Sequence, residues 1–172
     1  VSSLMDGSLY LNTKYGFVVA LDMETGKERW ATEVSRQTAG DTACVFALNS
    51  TVISATEANP EKMPDTWGRN HAVVALNTDG THRWTYQHQW PSFNFQASSP
   101  GDGTIVFQDR AGGLYRLDLS DGTLLWESGV RDRQAWFFTT GAAVCGPNGL
   151  VYVASNYLTG GIIHAYRLED GE

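Results

Sequence analysis

Apolar and polar residues alternate along this chain in short stretches that end at turns. Ser8–Asn12 and Phe17–Asp22, for example, flank a turn at Tyr15 and Gly16. Alternation with period two predicts half-buried β-strands, and glycine turns between such runs predict antiparallel hairpins. No stretch has the apolar period of an amphipathic helix. The pattern therefore predicts an all-β chain.

The strand pattern recurs four times. The related stretches are residues 20–30 (ALDMETGKERW), 75–84 (ALNTDGTHRW), 117–126 (LDLSDGTLLW) and 165–171 (AYRLEDG). Earlier turns at Asp6, Asn49, Asp102 and Asn148 follow one another at intervals of 43, 53 and 46 residues. One four-stranded antiparallel sheet in about 40–50 residues is typical of a β-propeller blade.

Four blades are predicted, at approximately residues 1–42, 43–95, 96–138 and 139–172. Residues 57–70 contain two prolines and are predicted to leave the second blade as a surface excursion. Residues 159–161 (TGG) are predicted to be a turn in the fourth blade. Because one blade buries neither of its faces, the blades are expected to stack face to face.

The first copy of the repeat resembles the pyrroloquinoline-quinone-like (PQQ-like) propeller repeat, A-x-D-x-x-T-G-x-x-x-W. The resemblance implies that a tryptophan of each blade docks on peptide planes of its neighbour and that a glycine forms each turn. The implied docking residues are Trp30, Trp84, Trp126, Gly26, Gly80 and Gly122. The departures are Asn77 at an Asp position, Leu117 at the Ala position of the third copy, and Arg167 at an Asp position.

The resemblance also implies a ring larger than four blades, since propellers of this family have seven or eight. The four predicted blades are then part of a larger ring. The remaining blades would come from the same longer chain or from a second copy.

Both enzymes and non-catalytic propellers occur among the proteins that this chain resembles. The enzymes hold a calcium-bound quinone over a disulfide of adjacent cysteines and use a catalytic Asp with Glu and Asn ligands. Cys44 and Cys145 are not adjacent, and no acidic cluster matches those ligands. We therefore expect a scaffold that binds another protein and uses no cofactor. The alternatives are a fragment of a PQQ- and calcium-dependent alcohol or sugar dehydrogenase, and a propeller that binds carbohydrate or another small ligand.

Aromatic and arginine residues are concentrated in the stretches that join one predicted blade to the next. Such residues suit packing between the blades, which is slightly favoured, and they also suit a binding surface at one face of the disc. The candidates in these joints are Trp90, Phe93, Phe95, Arg131, Arg133, Trp136 and Phe138. Trp67, in the proline-containing stretch, is a further candidate for binding a partner.

The net charge of −7 argues against nucleic acid or an anionic membrane surface as a partner. No apolar run reaches the roughly 18 residues of a membrane span. The four histidines lack metal-ligand spacing, and both cysteines are predicted to be buried, unpaired thiols. The family resemblance favours an extracytoplasmic location, either periplasmic or secreted.

Overall fold

The computed structural model describes residues 2–13, 15–34, 44–56, 71–92, 94–129, 142–157 and 160–172. All regular structure in these ranges is β-strand, arranged as four antiparallel sheets. The all-β prediction is confirmed. The chain divides into two compact units, Val1–Gln89 and Trp90–Glu172.

The first unit contains two four-stranded sheets, in each of which consecutive strands are neighbours. The first sheet consists of β1 (Ser3–Met5), β2 (Ser8–Asn12), β3 (Phe17–Asp22) and β4 (Glu28–Glu33). The second consists of β5 (Val45–Leu48), β6 (Thr51–Thr56), β7 (Ala72–Asn77) and β8 (His82–Gln87).

The second unit contains two three-stranded sheets. The third sheet consists of β9 (Thr104–Gln108), β10 (Leu114–Asp118) and β11 (Leu124–Ser128). An isolated bridge between Ser98 and Val106 occupies the position that the first strand has in the other sheets. The fourth sheet consists of β12 (Val144–Cys145), β13 (Leu150–Tyr157) and β14 (Gly160–Arg167).

The tryptophan strands pair with their neighbours in one repeated register. Trp30 lies opposite Ala20, and Trp84 lies opposite Ala75. In the third sheet the residue opposite Trp126 is Arg116. The assignment of Leu117 to the alanine position was therefore wrong by one residue. A register shift follows the paired residue in all three sheets, and such a bulge increases local strand twist.

Each unit has a core in which side chains of its two sheets pack together. In the first unit, Tyr10 and Val18 of the first sheet pack with Val52 and Leu76 of the second. In the second unit, Val106 and Leu114 of the third sheet pack with Val151 of the fourth. Burying one such side chain contributes about 1.5–3 kcal/mol, so these cores hold adjacent sheets face to face.

The fourth sheet differs from the sequence prediction near its glycines. Gly160 and Gly161 belong to β14 and pair with Tyr157 and Asn156 of β13. The predicted turn at residues 159–161 is thus wrong at these two glycines, because the hairpin strands extend further than their apolar residues do. The predicted excursion at residues 57–70 lies outside the described residues.

Candidate functional site

Within the first unit, the indole of Trp30 reaches from the first sheet to the glycine turn of the second. Its Nε1–H donates to the carbonyl oxygen of Thr78 at 2.8 Å. Two residues further along β4, the hydroxyl of Thr32 donates to the carbonyl oxygen of Gly80 at 2.7 Å. The Trp30 ring also lies near Tyr10, with ring centroids 5.9 Å apart. One strand thus binds the neighbouring turn through two side chains.

The second unit repeats this arrangement with different residues. Trp126 Nε1–H donates to the carbonyl oxygen of Leu168 at 2.8 Å. The hydroxyl of Ser128, two residues after the tryptophan, donates to the carbonyl oxygen of Gly171. The tryptophan contact therefore recurs in both units, and in each a Thr or Ser hydroxyl makes a second hydrogen bond next to the indole.

The two turn glycines are required by the indoles that cover them. A Cβ on Gly80 would lie 2.7 Å from Cδ2 of Trp30, and a Cβ on Gly171 would lie 2.8 Å from Cε3 of Trp126. Both glycines have positive φ, 85° and 77°, which side chains disfavour. Gly26 also has positive φ, but nothing lies within 4 Å of its Cβ position. Gly80 and Gly171 therefore allow the positive φ of the turn and also leave space for the indole ring.

A serine hydroxyl forms a further bond between the sheets of each unit. Ser3 Oγ accepts from the backbone N–H of Ala47 at 3.0 Å. Ser98 Oγ accepts from the backbone N–H of Cys145 at 3.3 Å. Ser3 pairs with Tyr10, and Ser98 pairs with Val106. Each of these partners lies two strands away from the tryptophan of its own sheet. The same row across each sheet thus carries both contacts.

Aspartates at the ends of β3 and β10 organise the turns that follow these strands. Asp22 Oδ1 accepts from Thr25 N at 2.8 Å, and Asp22 Oδ2 accepts from Arg29 at 2.7 Å. The hydrogen bond from Arg29, followed by those from Thr25, holds the pKa of Asp22 well below its ordinary value. Hydrogen bonds from Ser120 lower the pKa of Asp118 in the same way. These carboxylates hold turn backbone in place.

Arg116 occupies the alanine position of the repeat and makes a hydrogen bond between the third and fourth sheets. An alanine at this position, as in the other repeats, has no side-chain donor for such a bond. Arg116 donates to Asp102 at 2.6 Å, to Thr104 Oγ1 at 3.1 Å and to the Leu168 carbonyl at 2.7 Å. Burial, the largest effect, raises the pKa of Asp102, but the bonds from Thr104 and the charge of Arg116 outweigh it and the pKa is lowered. The carbonyl of Leu168 therefore accepts from both Arg116 and Trp126.

The structure separates the binding candidates predicted from the joints. Phe95 is only 1% exposed and its ring centroid lies 5.6 Å from that of Phe107, so its ring packs against another aromatic ring. Trp90 is half-buried. The remaining candidates, Phe93, Arg131, Arg133, Trp136, Phe138 and Trp67, lie outside the described residues.

Trp84, the third tryptophan expected to dock, is buried. Gly122 lies in the turn after β10, where its N–H donates to the carbonyl oxygen of Asp118 at 3.0 Å. Gly26 makes the equivalent bond to Asp22 at 2.9 Å. Gly26 and Gly122 therefore occupy corresponding positions in their turns.

Neither Cys44 nor Cys145 forms a disulfide, as the sequence predicts, but each is half-buried and not fully buried. Cys44 immediately precedes β5, and Cys145 is the last residue of β12. Both strands are short and lie at sheet edges. Burial raises the pKa of Cys145, and the nearby Asp102 charge adds to the increase.

No cluster of three or more His, Cys, Asp or Glu residues that could hold a metal ion lies within the described ranges. The described residues consequently do not supply the acidic ligand set of a calcium-bound quinone. Nor does any helix in these ranges have the length and apolar character needed to cross a membrane.

Sequence reasoning missed the hydroxyl and serine contacts. Thr32 and Ser128 stand two residues after their tryptophans, so the extended pattern W-x-[ST] could have indicated them. Arg116 could have been placed from the sequence, because residues 116–126 align without a gap with residues 20–30 and set Arg116 at the position of Ala20, as the strand register shows.

Three comparisons relate this chain to known proteins. A sequence profile of the family described as outer membrane protein assembly factor BamB matches residues 1–138. A curated relative of that name from Xanthomonas campestris pv. campestris is 26% identical over 176 residues, covering 96% of this chain and 37% of the relative. The chain thus spans less than half the length of that relative.

Solved structures agree on the fold. The crystal structure of BamB from Moraxella catarrhalis matches with a TM-score of 0.69 and 17% identity, over 99% of this chain and 49% of that one. The computationally designed Ika8 protein matches with a TM-score of 0.66 and 13% identity, over 96% and 44% of the two chains. The computationally designed Ika4 protein matches with a TM-score of 0.62 and 12% identity, over 97% of this chain and 89% of that one. The β-propeller fold is confirmed, and the profile match shows that this chain belongs to the outer membrane protein assembly factor BamB family of PQQ-like repeat proteins.

Proposed function

We propose that this chain is part of a non-catalytic β-propeller scaffold that binds another protein within a larger assembly. The observation that carries the proposal is the repeated lock between sheets, in which Trp30 and Trp126 each bind a neighbouring glycine turn. Two sheets fastened together in this way within each unit suit the presentation of joints and loops to a partner, because little conformational entropy is then lost on binding.

The chemistry of the described polar residues supports binding over catalysis. Asp22, Asp102 and Asp118 hold turns or arginines, and their lowered pKa values keep them ionised at neutral pH. A general acid or base near neutral pH needs the opposite shift. The family membership adds support, since the relative from Xanthomonas campestris pv. campestris is named an assembly factor. By the same relationship we propose an extracytoplasmic location.

The proposed binding surface includes the aromatic joint that carries Trp136 and Phe138. The test is to isolate the protein from its native envelope after crosslinking and to identify the captured partner by mass spectrometry. Substitution of both residues by Ala should reduce capture of that partner by tenfold or more. Leu125→Ala, a change at an exposed side chain of β11, is the matched control and should leave capture intact. Circular dichroism of each variant verifies folding.

Unchanged capture by the double variant would place the interface elsewhere on the protein. The dehydrogenase alternative has a separate test, which is addition of PQQ and calcium with dye-linked alcohol oxidation as the readout. Stoichiometric uptake of the quinone together with oxidation would contradict a purely scaffolding role. No observation in the described residues favours the alternative of carbohydrate binding.

A further inference from the structure

Two histidines lie side by side at one end of the strand pair formed by β7 and β8. Ala72 of β7 lies opposite Gln87 of β8. One step beyond this pair, the His88 N–H donates to the His71 carbonyl oxygen at 2.8 Å. Residues that lie opposite each other on antiparallel strands carry their side chains on the same face of the sheet. The fold therefore brings together two imidazoles that are distant in the sequence.

Both imidazoles are almost completely buried. His71 is 4% exposed and His88 is 5% exposed. Their ring centroids lie 6.4 Å apart, and the ring planes are inclined by 35°. A buried imidazole needs partners for its two ring nitrogens, because each is either a hydrogen-bond donor or an acceptor.

His71 lacks such partners. Neither its Nδ1 nor its Nε2 has a hydrogen-bond partner in the part of the chain that the structure describes, and both atoms are buried. A buried polar atom without a partner destabilises a fold unless a bound group satisfies it. The neutral imidazole nitrogen is also the commonest protein ligand of metal ions. The ring of His71 therefore points to a bound group beside it.

The spacing of the two rings suits one metal ion between them. An imidazole nitrogen binds a transition metal at about 2.0 Å, so two imidazoles on opposite sides of one ion have ring centroids roughly 6–6.5 Å apart. The observed separation of 6.4 Å agrees with this opposed arrangement. The tetrahedral geometry of zinc would bring the rings closer together, whereas tetragonal Cu²⁺ accepts two opposed nitrogens and takes oxygen atoms at its other positions.

We propose that His71 and His88 form a copper-binding site within the first unit, in which one nitrogen of each imidazole binds the same Cu²⁺ ion. Among the divalent first-row metals, Cu²⁺ has the highest affinity for such nitrogen ligands. A site of two histidines agrees with the lack of larger clusters of metal ligands in the described ranges. Because these histidines belong neither to the tryptophan contacts nor to the aromatic joints, the site goes beyond the proposed scaffold function.

The experiment titrates the purified, metal-free protein with Cu²⁺, using calorimetry for affinity and electron paramagnetic resonance for the ligands. One ion should bind per chain, with nitrogen hyperfine structure from two imidazoles. His71→Ala and His88→Ala should each weaken binding at least tenfold and remove one nitrogen from the spectrum. No saturable binding, or binding that either folded variant leaves unchanged, overturns the proposal.

Two further variants exclude binding at the surface. His82→Ala is the matched control, since His82 is an exposed histidine of β8 whose Nε2 lies 2.8 Å from Thr85 Oγ1, and it should keep the affinity of the parent. The double variant His82→Ala, His164→Ala keeps only His71 and His88 of the four histidines. It should still bind one ion through two nitrogens, and loss of this signal overturns the proposal even where the substitutions of His71 and His88 prevent folding. Circular dichroism of each variant verifies folding.

Discussion

The indole N–H of Trp30 donates to the carbonyl oxygen of Thr78 at 2.8 Å, across 48 residues of sequence and between two sheets. Trp126 and Leu168 form the same bond at 2.8 Å across 42 residues. The repeat thus encodes a contact between neighbouring sheets as well as the strands of each sheet. The contact combines a directed hydrogen bond with burial of a large ring.

Trp30→Phe separates the hydrogen bond from the ring. The substitution removes the indole N–H and leaves the Thr78 carbonyl without that donor, so we expect a loss of about 1 kcal/mol in the free energy of unfolding. Trp30→Ala removes the ring as well and should cost about 3 kcal/mol or more. Urea denaturation of the purified variants measures both. Leu4→Ala, at a side chain that is 60% exposed in the same unit, should change stability by less than about 0.5 kcal/mol.

Gly80→Ala and Gly26→Ala form a matched pair at turn positions. Both residues have positive φ, so each substitution should cost roughly 1 kcal/mol in backbone strain. Only at Gly80 would the new methyl group also meet Trp30, at 2.7 Å. We expect Gly80→Ala to lose at least about 1 kcal/mol more than Gly26→Ala, in line with the cost of overpacking. Equal losses in thermal or urea unfolding would show that the indole moves away without cost.

The sequence predicts the strands well where alternation is regular and turns contain glycine. The bounds of β2 and β3 agree with the pattern because an apolar face must alternate with a polar one. Strands β1 and β12 could not be predicted, since three and two residues are too few to show a period. Their pairing depends on the adjacent strand.

The contacts between sheets are less accessible to sequence reasoning. The tryptophan pattern indicates that docking occurs, but the acceptor of Trp30 is a backbone carbonyl, which any residue supplies. Arg116 replaces alanine and contributes its own bond, whose acceptor is likewise a backbone carbonyl, that of Leu168.

Asp22→Asn should lose stability at neutral pH and lose less as the pH falls. The pKa of Asp22 is lowered in the folded state, chiefly by Arg29, whereas an unfolded aspartate has a pKa of about 3.9. The stabilisation by the carboxylate is therefore complete above the unfolded value and disappears as the pH falls through the folded one. Urea midpoints of the variant and the parent should differ at pH 7 and converge toward pH 2.

Glu24→Gln is the control for that comparison, since it neutralises a carboxylate in the same exposed turn. No hydrogen bond to the Glu24 side chain is among the contacts described for this turn, whereas Asp22 accepts four. A gap between the Asp22 variant and the parent that stays constant from pH 7 to pH 2 would contradict the role of the charge.

Cys145 should react slowly with alkylating reagents in the folded protein. Burial raises its pKa, so a smaller fraction is present as the reactive thiolate at pH 8 than in an unfolded chain. We expect iodoacetamide to modify Cys145 several-fold more slowly in native Cys44→Ser protein than in the same protein unfolded in urea, with mass spectrometry as the readout. Raising the pH to 9.5 should increase the native rate by more than the unfolded rate, because the unfolded thiol is by then mostly ionised. Equal pH dependence in the two states would show that access to the sulfur, and not its pKa, limits the reaction.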